Sequence, residues 1–229
     1  MKENAIILFL KLPSKGKVKT RLGKDLGPDL VLALYKAFIN DILNICSTVS
    51  ADTLIAYAPD SEAEKEYKTL LSKHTSFMQR GCNLGERMFN AFTDAYSRGY
   101  KKCVLIGSDI PGITNNIISE ACSMLDKYDI AIGPSADGGY YLIGNTIKSN
   151  SDQYYKDIEW SRPDVYEKTK NRIELPGYSM SRLATLNDID DIHDLIEFYE
   201  TNKNNGLSDS ISVIYQNKEF ILGEIPDKK

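Results

Sequence analysis

Apolar and polar positions along this chain fall into alternating short and long blocks. Ala5 to Leu10 is an unbroken apolar run of strand length, and it pours into a polar loop that starts at Lys11. Beyond Gly27-Pro28, a glycine and proline pair suited to opening a helix, Leu30, Val31, Leu34, Phe38, Ile42 and Ile45 recur at three- and four-residue steps and predict a long helix. Thr53 to Ala58 predicts a second strand, closed by Pro59-Asp60, and the Glu/Lys-rich stretch Glu62 to Ser72 predicts a solvent-facing helix. Gln79 to Gly85 is a glycine-bracketed turn before helical periodicity through Met88, Phe89, Phe92 and Ala95. Cys103 to Gly107 is the continuous apolar run of a strand buried on both faces of a parallel sheet. A helix at Asn115 to Leu125, a strand at Ile130 to Gly133, and a turn with a further strand within Pro134 to Gly144 follow. Ser161 reads as an N-cap with Asp164 three residues on, Ala184 to Leu186 as a last short strand, and Asn187 to Asp191 as the cap of a helix reaching about Thr201. Ile211 to Ile225 alternates weakly and reads as a hairpin or an added strand.

Strand and helix alternate from the start, so the expected architecture is a three-layer α/β/α domain with a mostly parallel sheet, its ligands at the carboxyl ends of the strands. We expect one domain over residues 1–205 and a C-terminal extension of unread role over 206–229. The unusual residues cluster after the first strand and after the Cys103, Ile130 and Ala184 strands. If those strands are parallel, all four clusters share one sheet edge.

Charge sharpens this picture. Lys11, Lys15, Lys17, Lys19, Arg21 and Lys24 are six cations without an intervening carboxylate, in a chain whose net charge is −4. A basic loop at a strand end, carrying Pro13, Gly16 and Thr20 among its cations, is suited to the phosphates of a small ligand. The plain alternative is a solvated lysine-rich loop. It is not a Walker A motif, because Val18 follows Gly16-Lys17 where Ser or Thr is required, and no G-x-G-x-x-G occurs. With a sequence pI near 5.3, nucleic-acid binding would rest on this loop alone and is not expected. No membrane span or secretory leader is expected, and the chain reads as cytoplasmic. Four scattered cysteines without a C-x-x-C read as reduced, mostly buried thiols.

Asp109, at the end of a buried-type strand and followed by Pro111, is the foremost candidate ligand for a hard cation. With only two histidines, Asp109, Asp137, Asp188 and Asp190 offer oxygens suited to Mg²⁺ or Mn²⁺. Asp188 reads equally as a helix N-cap and Asp137 as a turn residue. Gly138-Gly139 would admit a ligand close to the backbone, and Tyr140 would supply a stacking face or a hydroxyl. Glu86 and Arg87 either face the same cleft or form an exposed helix end. Cys82 is explained by its turn without nucleophilic chemistry.

Together, Lys11-x-Pro13-x-x-Gly16-x-Val18-Lys19-Thr20-Arg21-Leu22, Leu84-Gly85-Glu86-Arg87-Met88, Gly107-Ser108-Asp109-x-Pro111, Gly133 to Gly144, Trp160-Ser161 and Asp188-x-Asp190 resemble a family of small transferases. These are the glycosyltransferase-like proteins of bacteria and archaea, some associated with arsenosugar biosynthesis or radical-SAM genes, and related to molybdenum-cofactor and phospholactate guanylyltransferases. The resemblance spans about residues 4–200. It implies a GT-A, nucleotide-diphospho-sugar transferase fold in which the first strand and its loop hold the nucleotide and the Asp109 position holds a divalent metal. Ser108-Asp109 stands where many glycosyltransferases have Asp-x-Asp, and Asn187 precedes Asp188 where relatives often carry aspartate. The expected activity is metal-dependent transfer from a nucleotide-activated donor to a small acceptor. An NDP-sugar is the first reading of the donor, and the alternatives are nucleotidyl transfer from an NTP and a non-catalytic nucleotide-binding module. In this scheme Asp109 and Asp188 are the expected catalytic residues. Lys11, Pro13, Gly16, Lys19, Thr20, Arg21 and Ser108 bind the nucleotide phosphates, and Glu86, Arg87, Asp137, Gly138, Gly139 and Tyr140 line the donor or acceptor pocket.

Overall fold

The computed structural model describes residues 3–205 and 208–223. The chain runs β1 (Asn4–Lys11), α1 (Leu22–Ser47), β2 (Asp52–Ala58), α2 (Ser61–Glu66), α3 (Lys68–Lys73), β3 (Thr75–Met78), α4 (Leu84–Ser97), β4 (Lys102–Gly107), α5 (Asn115–Met124) and β5 (Ile130–Pro134). It continues through β6 (Tyr140–Thr146), a 3₁₀ turn (Asp152–Tyr155), α6 (Val165–Glu174), β7 (Met180–Arg182), α7 (Ile192–Asn202), α8 (Asp209–Gln216) and α9 (Lys218–Gly223). The strands form one sheet in the order β3-β2-β1-β4-β6-β5-β7. Only β6 opposes the rest, pairing antiparallel with both β4 and β5. The expected three-layer, mostly parallel α/β architecture is therefore the observed one.

Residues of β1 alternate between the two sides of the sheet, as the period of two along a strand requires. Ile6, Leu8 and Leu10 join the core beneath α1, α5, α7, α8 and α9, while Ala5 and Ile7 join the core beneath α4, α6 and the 3₁₀ turn. Both faces are covered, which is why the central strands are nearly uniformly apolar. Each fully buried Ile or Leu stabilises the fold by about 1.5–3 kcal/mol of transfer free energy.

Several expectations shift. The long helix starts before Gly27: a first turn over Leu22 to Leu26 breaks at Gly27, whose φ of 74° is left-handed, and the helix resumes at Pro28. By length and composition α1 could cross a membrane, which the sequence pattern did not suggest. Here its apolar stripe, with Leu34, Phe38 and Ile42 fully buried, packs against the sheet. The Glu62 to Ser72 helix is two short helices meeting at Tyr67. Ser161 is no N-cap: it has a left-handed φ of 64°, and α6 starts after Asp164. The last strand is Met180–Arg182 rather than Ala184 to Leu186, although Leu186 makes an isolated parallel bridge to Ser135.

The tail is helical where a hairpin or strand was expected. Asp41 of α1, itself buried, accepts hydrogen bonds from the backbone N–H groups of Asp209 (2.8 Å) and Ser210 (3.0 Å) and so caps the start of α8. Ile211, Ile214 and Ile221, at spacings of three and seven, form the buried side. Residues 206–207 and 224–229 of the expected extension lie outside the described residues.

Candidate nucleotide cleft

The chain leaves β1 for β2 and β3 on one side and returns to β4 on the other. The crevice beyond the carboxyl ends of β1 and β4 is thus the topological switch point, where open α/β sheets bind ligands. There the structure has a cleft of about 530 Å³, within the usual range for small-molecule sites. The loop after β1 brings Lys11 and Lys19, the end of β4 brings Ser108 and Asp109, the β5–β6 turn brings Asp137 and Gly139, and the segment before α7 brings Asp188. Because β6 runs opposite to its neighbours, its first residue, Tyr140, lies at the same edge and lines the cleft with Arg87, Trp160 and Arg162.

Lys19 joins the basic and acidic walls. Its ammonium is 3.3 Å from Asp109 Oδ2 and 3.6 Å from Asp190 Oδ1, and its side chain is only 5% exposed. The ammonium makes no hydrogen bond among the described residues, and the Lys19 backbone has a left-handed φ of 44°, unusual without glycine. Arg21, well exposed, pairs with the other oxygen of Asp190 at 2.8 Å. Lys15 and Lys17 are engaged outside the cleft with Asp29 and Asp60. Asp60 also caps α2, and the Lys17 ammonium with these backbone bonds holds its carboxyl below the usual range.

The acidic wall is under strain. Burial first, then the negative charges of Asp137 and Asp190, push the Asp188 carboxyl above its ordinary range, while its own backbone N–H and Lys19 pull the other way. A cation would relieve that repulsion. Asp109, expected at depth, is instead 52% exposed, because the chain turns outward after buried Ser108. Ser108 Oγ is 2.9 Å from the hydroxyl of Tyr35, which also donates to Lys11 O at 3.1 Å, so one α1 tyrosine fastens the ends of β1 and β4 together.

Of the expected site residues, Lys11, Lys19, Arg87, Ser108, Asp109, Asp137, Gly139, Tyr140 and Asp188 line this cleft. Pro13, Gly16, Thr20, Arg21, Glu86 and Gly138 do not. Glu86 faces the turn behind it, accepting from Cys82 N (2.8 Å) and Asn83 Nδ2 (3.0 Å). Gly138 serves packing rather than ligand approach: at its φ of 89°, a Cβ would lie 1.9 Å from Pro163 O. Asp137 spends one oxygen on its own turn, accepting from Ser135 Oγ and from Gly139 N at 2.9 Å. Arg87 anchors through Nε to Gly81 O at 3.1 Å. Burial pushes the Tyr140 phenol well above its ordinary pKa, and its ring meets Trp160 edge to face, with centroids 6.5 Å apart. The cleft also holds Gln79, Tyr35 and Arg162, which the sequence pattern did not single out as ligand-facing. The available signal for Gln79 was its position, the first residue of the glycine-bracketed turn.

Residues 42–162, just over half of the chain, match the model of the family described as "Uncharacterized protein conserved in bacteria (DUF2064)". The chain belongs to this family. The matched region contains β2 to β6, and with them Gln79, Asp109 and Tyr140. A solved structure from Desulfovibrio desulfuricans G20, provisionally named a nucleotide-diphospho-sugar transferase, is 37% identical to this DUF2064 chain with a TM-score of 0.94, covering 99% of this chain and all of that one. The 2-phospho-L-lactate guanylyltransferase of Methanocaldococcus vulcanius is 23% identical over 195 residues, 85% of this chain and 84% of that protein. A nucleotidyl transferase from Methanothermobacter shares the fold at a TM-score of 0.57 and 13% identity, covering 88% of this chain and 99% of that one. The fold is thus that of the nucleotidyl and nucleotide-sugar transferases.

Proposed function

We propose that this protein is a nucleotidyltransferase that joins a nucleoside triphosphate to a small phosphorylated acceptor and releases pyrophosphate. One observation carries the reading: cations of the β1 loop and carboxylates of the β4 and Asp188 segments meet across the switch-point crevice, which Tyr140, Trp160, Arg87 and Arg162 also line. A triphosphate needs the first part and an anionic acceptor the second. The guanylyltransferase and nucleotidyl transferase likenesses support this order of preference over the NDP-sugar reading that comes first from the sequence.

The carboxylates fit a divalent cation. They offer only hard oxygen ligands, and the repulsion around Asp188 is what a cation would relieve. Among the described residues no three His, Cys, Asp or Glu side chains form a ready cage, but Mg²⁺ commonly takes one or two protein carboxylates and completes its shell with water and phosphate. Asp109 and Asp188 would hold it, and once bound it would neutralise phosphate charge. Lys11 and Lys19 then bind the β- and γ-phosphates and stabilise the negative charge that grows on departing pyrophosphate. An acceptor phosphate oxygen attacks the α-phosphorus, the bond from that phosphorus to the bridging oxygen breaks, and the electron pair leaves with pyrophosphate. The attacking oxygen is already anionic, so no general base is required. Arg87 and Arg162 orient the acceptor, and catalysis is positioning and charge stabilisation.

A thermal-shift panel with Mg²⁺ tests the donor. The expected result is larger stabilisation by an NTP than by NDP-sugars, with pyrophosphate released when a phosphorylated acceptor is added. Stabilisation by NDP-sugars alone would favour glycosyl transfer, the reading that the Desulfovibrio relative's name supports.

A further inference from the structure

One peptide group in the turn before α4 is held from both ends. The N–H of the Gly81–Cys82 peptide donates to Glu86 Oε2 at 2.8 Å, and its C=O accepts from Arg87 Nε at 3.1 Å. Because the peptide is planar, fixing both groups fixes the whole unit. Glu86 and Arg87 are neighbours in the first turn of α4, so two consecutive side chains grip a single peptide. Glycine is what lets the turn come so close: at the Gly81 φ of 141°, a Cβ would lie 2.7 Å from Glu86 Cβ and 2.8 Å from Arg87 N. The other Glu86 oxygen accepts from Asn83 Nδ2 at 3.0 Å, so the whole carboxylate is spent on the turn.

The grip settles how Arg87 meets the cleft. A guanidinium is a flat fork, and a hydrogen bond at Nε fixes the plane in which its two terminal groups lie. Arg21 and Arg80 give their terminal groups to Asp190 and Asp94. Those of Arg87 make no hydrogen bond or ion pair among the described residues, and Arg87 lines the cleft beside Tyr140, Trp160 and Arg162. A fork with a fixed plane and two free prongs suits two oxygens of one anionic group. Resting on the assignment of Arg87 to the anionic acceptor, we infer that Glu86 is a positioning residue, locking the Gly81–Cys82 peptide and through it aiming Arg87 at the acceptor's anionic group. Glu86 does not touch the ligand. Without its carboxylate the peptide can turn, the carbonyl leaves Nε, and the ordering of a loose arginine becomes a cost of binding.

The test is titration calorimetry with inorganic phosphate, on protein already saturated with Mg²⁺ and tripolyphosphate to fill the Lys11 and Lys19 end. Arg87→Lys, which keeps the charge but loses the fork, should weaken phosphate binding about tenfold, the scale of one charge-assisted hydrogen bond. Glu86→Ala should weaken it about fivefold, and Glu86→Gln, whose amide oxygen can still accept from Cys82 N, should stay within about twofold of wild type. Added to Arg87→Lys, Glu86→Ala should cost less than about twofold more, because the fork it aims is already gone; independent effects would multiply to about fiftyfold. A purely structural role at the start of α4 would lower the melting temperature without this coupling. In the unaltered protein, the Arg87 Nε–H should give an NMR signal protected from exchange before phosphate is added. A freely exchanging Nε–H, unchanged phosphate affinity in a folded Glu86→Ala, or multiplicative loss in the double variant overturns the positioning role and leaves the acceptor assignment standing. Phosphate that fails to bind the wild type, or binds Arg87→Lys equally well, overturns the acceptor assignment and this inference with it.

Discussion

Asp41 is buried and Asp188 half-buried, and they are opposites. Asp41, on α1, places its two oxygens on two backbone N–H donors at the start of α8, so its charge is answered by the fold. Asp188, at the rim of the sheet, faces Asp137 and Asp190 and is pushed toward its neutral form. The difference teaches how to separate acids that hold a structure from acids that hold a ligand: the first are satisfied when the protein is empty, and the second are not. Lys19 shows the same frustration with opposite sign, its ammonium nearly buried between two carboxylates and without a hydrogen bond among the described residues.

The contrast breaks most visibly in activity. Asp109→Asn and Asp188→Asn should each lower metal-dependent nucleotidyl transfer about a hundredfold or more, the usual scale for losing an electrostatic group at a reacting phosphate. Their melting temperatures should change little; a large fall in Tm without loss of transfer would reverse the assignment. Asp41→Ala should do the converse. Two charge-assisted hydrogen bonds to backbone are worth about 3 kcal/mol together, so Tm should drop by roughly 6–12 °C while nucleoside triphosphate affinity in calorimetry stays within about twofold. Tyr35→Phe removes the hydroxyl that joins Lys11 O to Ser108 Oγ. Denaturant titration should show a loss of about 1 kcal/mol, with a smaller weakening of phosphate binding because the two walls lose their tie.

The smallest effect is in pH dependence. A carboxyl whose folded pKa lies above its unfolded value contributes stability that is complete below the unfolded value and lost as pH rises through the folded one. Asp188 is such a group. Asp188→Asn should therefore melt slightly above wild type at neutral pH, and the gain should vanish toward about pH 4, the ordinary aspartate value. A gain that grows on acidification would contradict the burial and like-charge origin of the shift.

The layers were legible because buried strands such as Ala5 to Leu10 and Cys103 to Gly107 are unbroken apolar runs, and long helices such as α1 and α4 repeat at three and four. Strand direction was not: β6 is apolar like its neighbours, and only its tight turn from β5 makes it antiparallel. Met180–Arg182 has too few apolar residues to announce a strand. In the tail, Ile211, Ile214 and Ile221 carried a helical spacing that the polar interruption at Asn217-Lys218 obscured. In the cleft, Asp109 and Lys19 could be named because charged residues beside apolar strands are conspicuous. Glu86 and Gly138 were misplaced because a helix-start carboxylate and a packing glycine look the same in sequence as ligand-facing ones. Gln79 escaped notice because its place in the cleft rests on two carbonyl partners far along the chain.

The most direct test is a crystal soaked with Mn²⁺ and a non-hydrolysable nucleoside triphosphate analogue, read by anomalous scattering. The account predicts a manganese peak ligated by Asp109 and Asp188, bridging phosphates that lie against Lys11 and Lys19. Phosphates bound elsewhere, or a manganese peak away from both carboxylates, would contradict it.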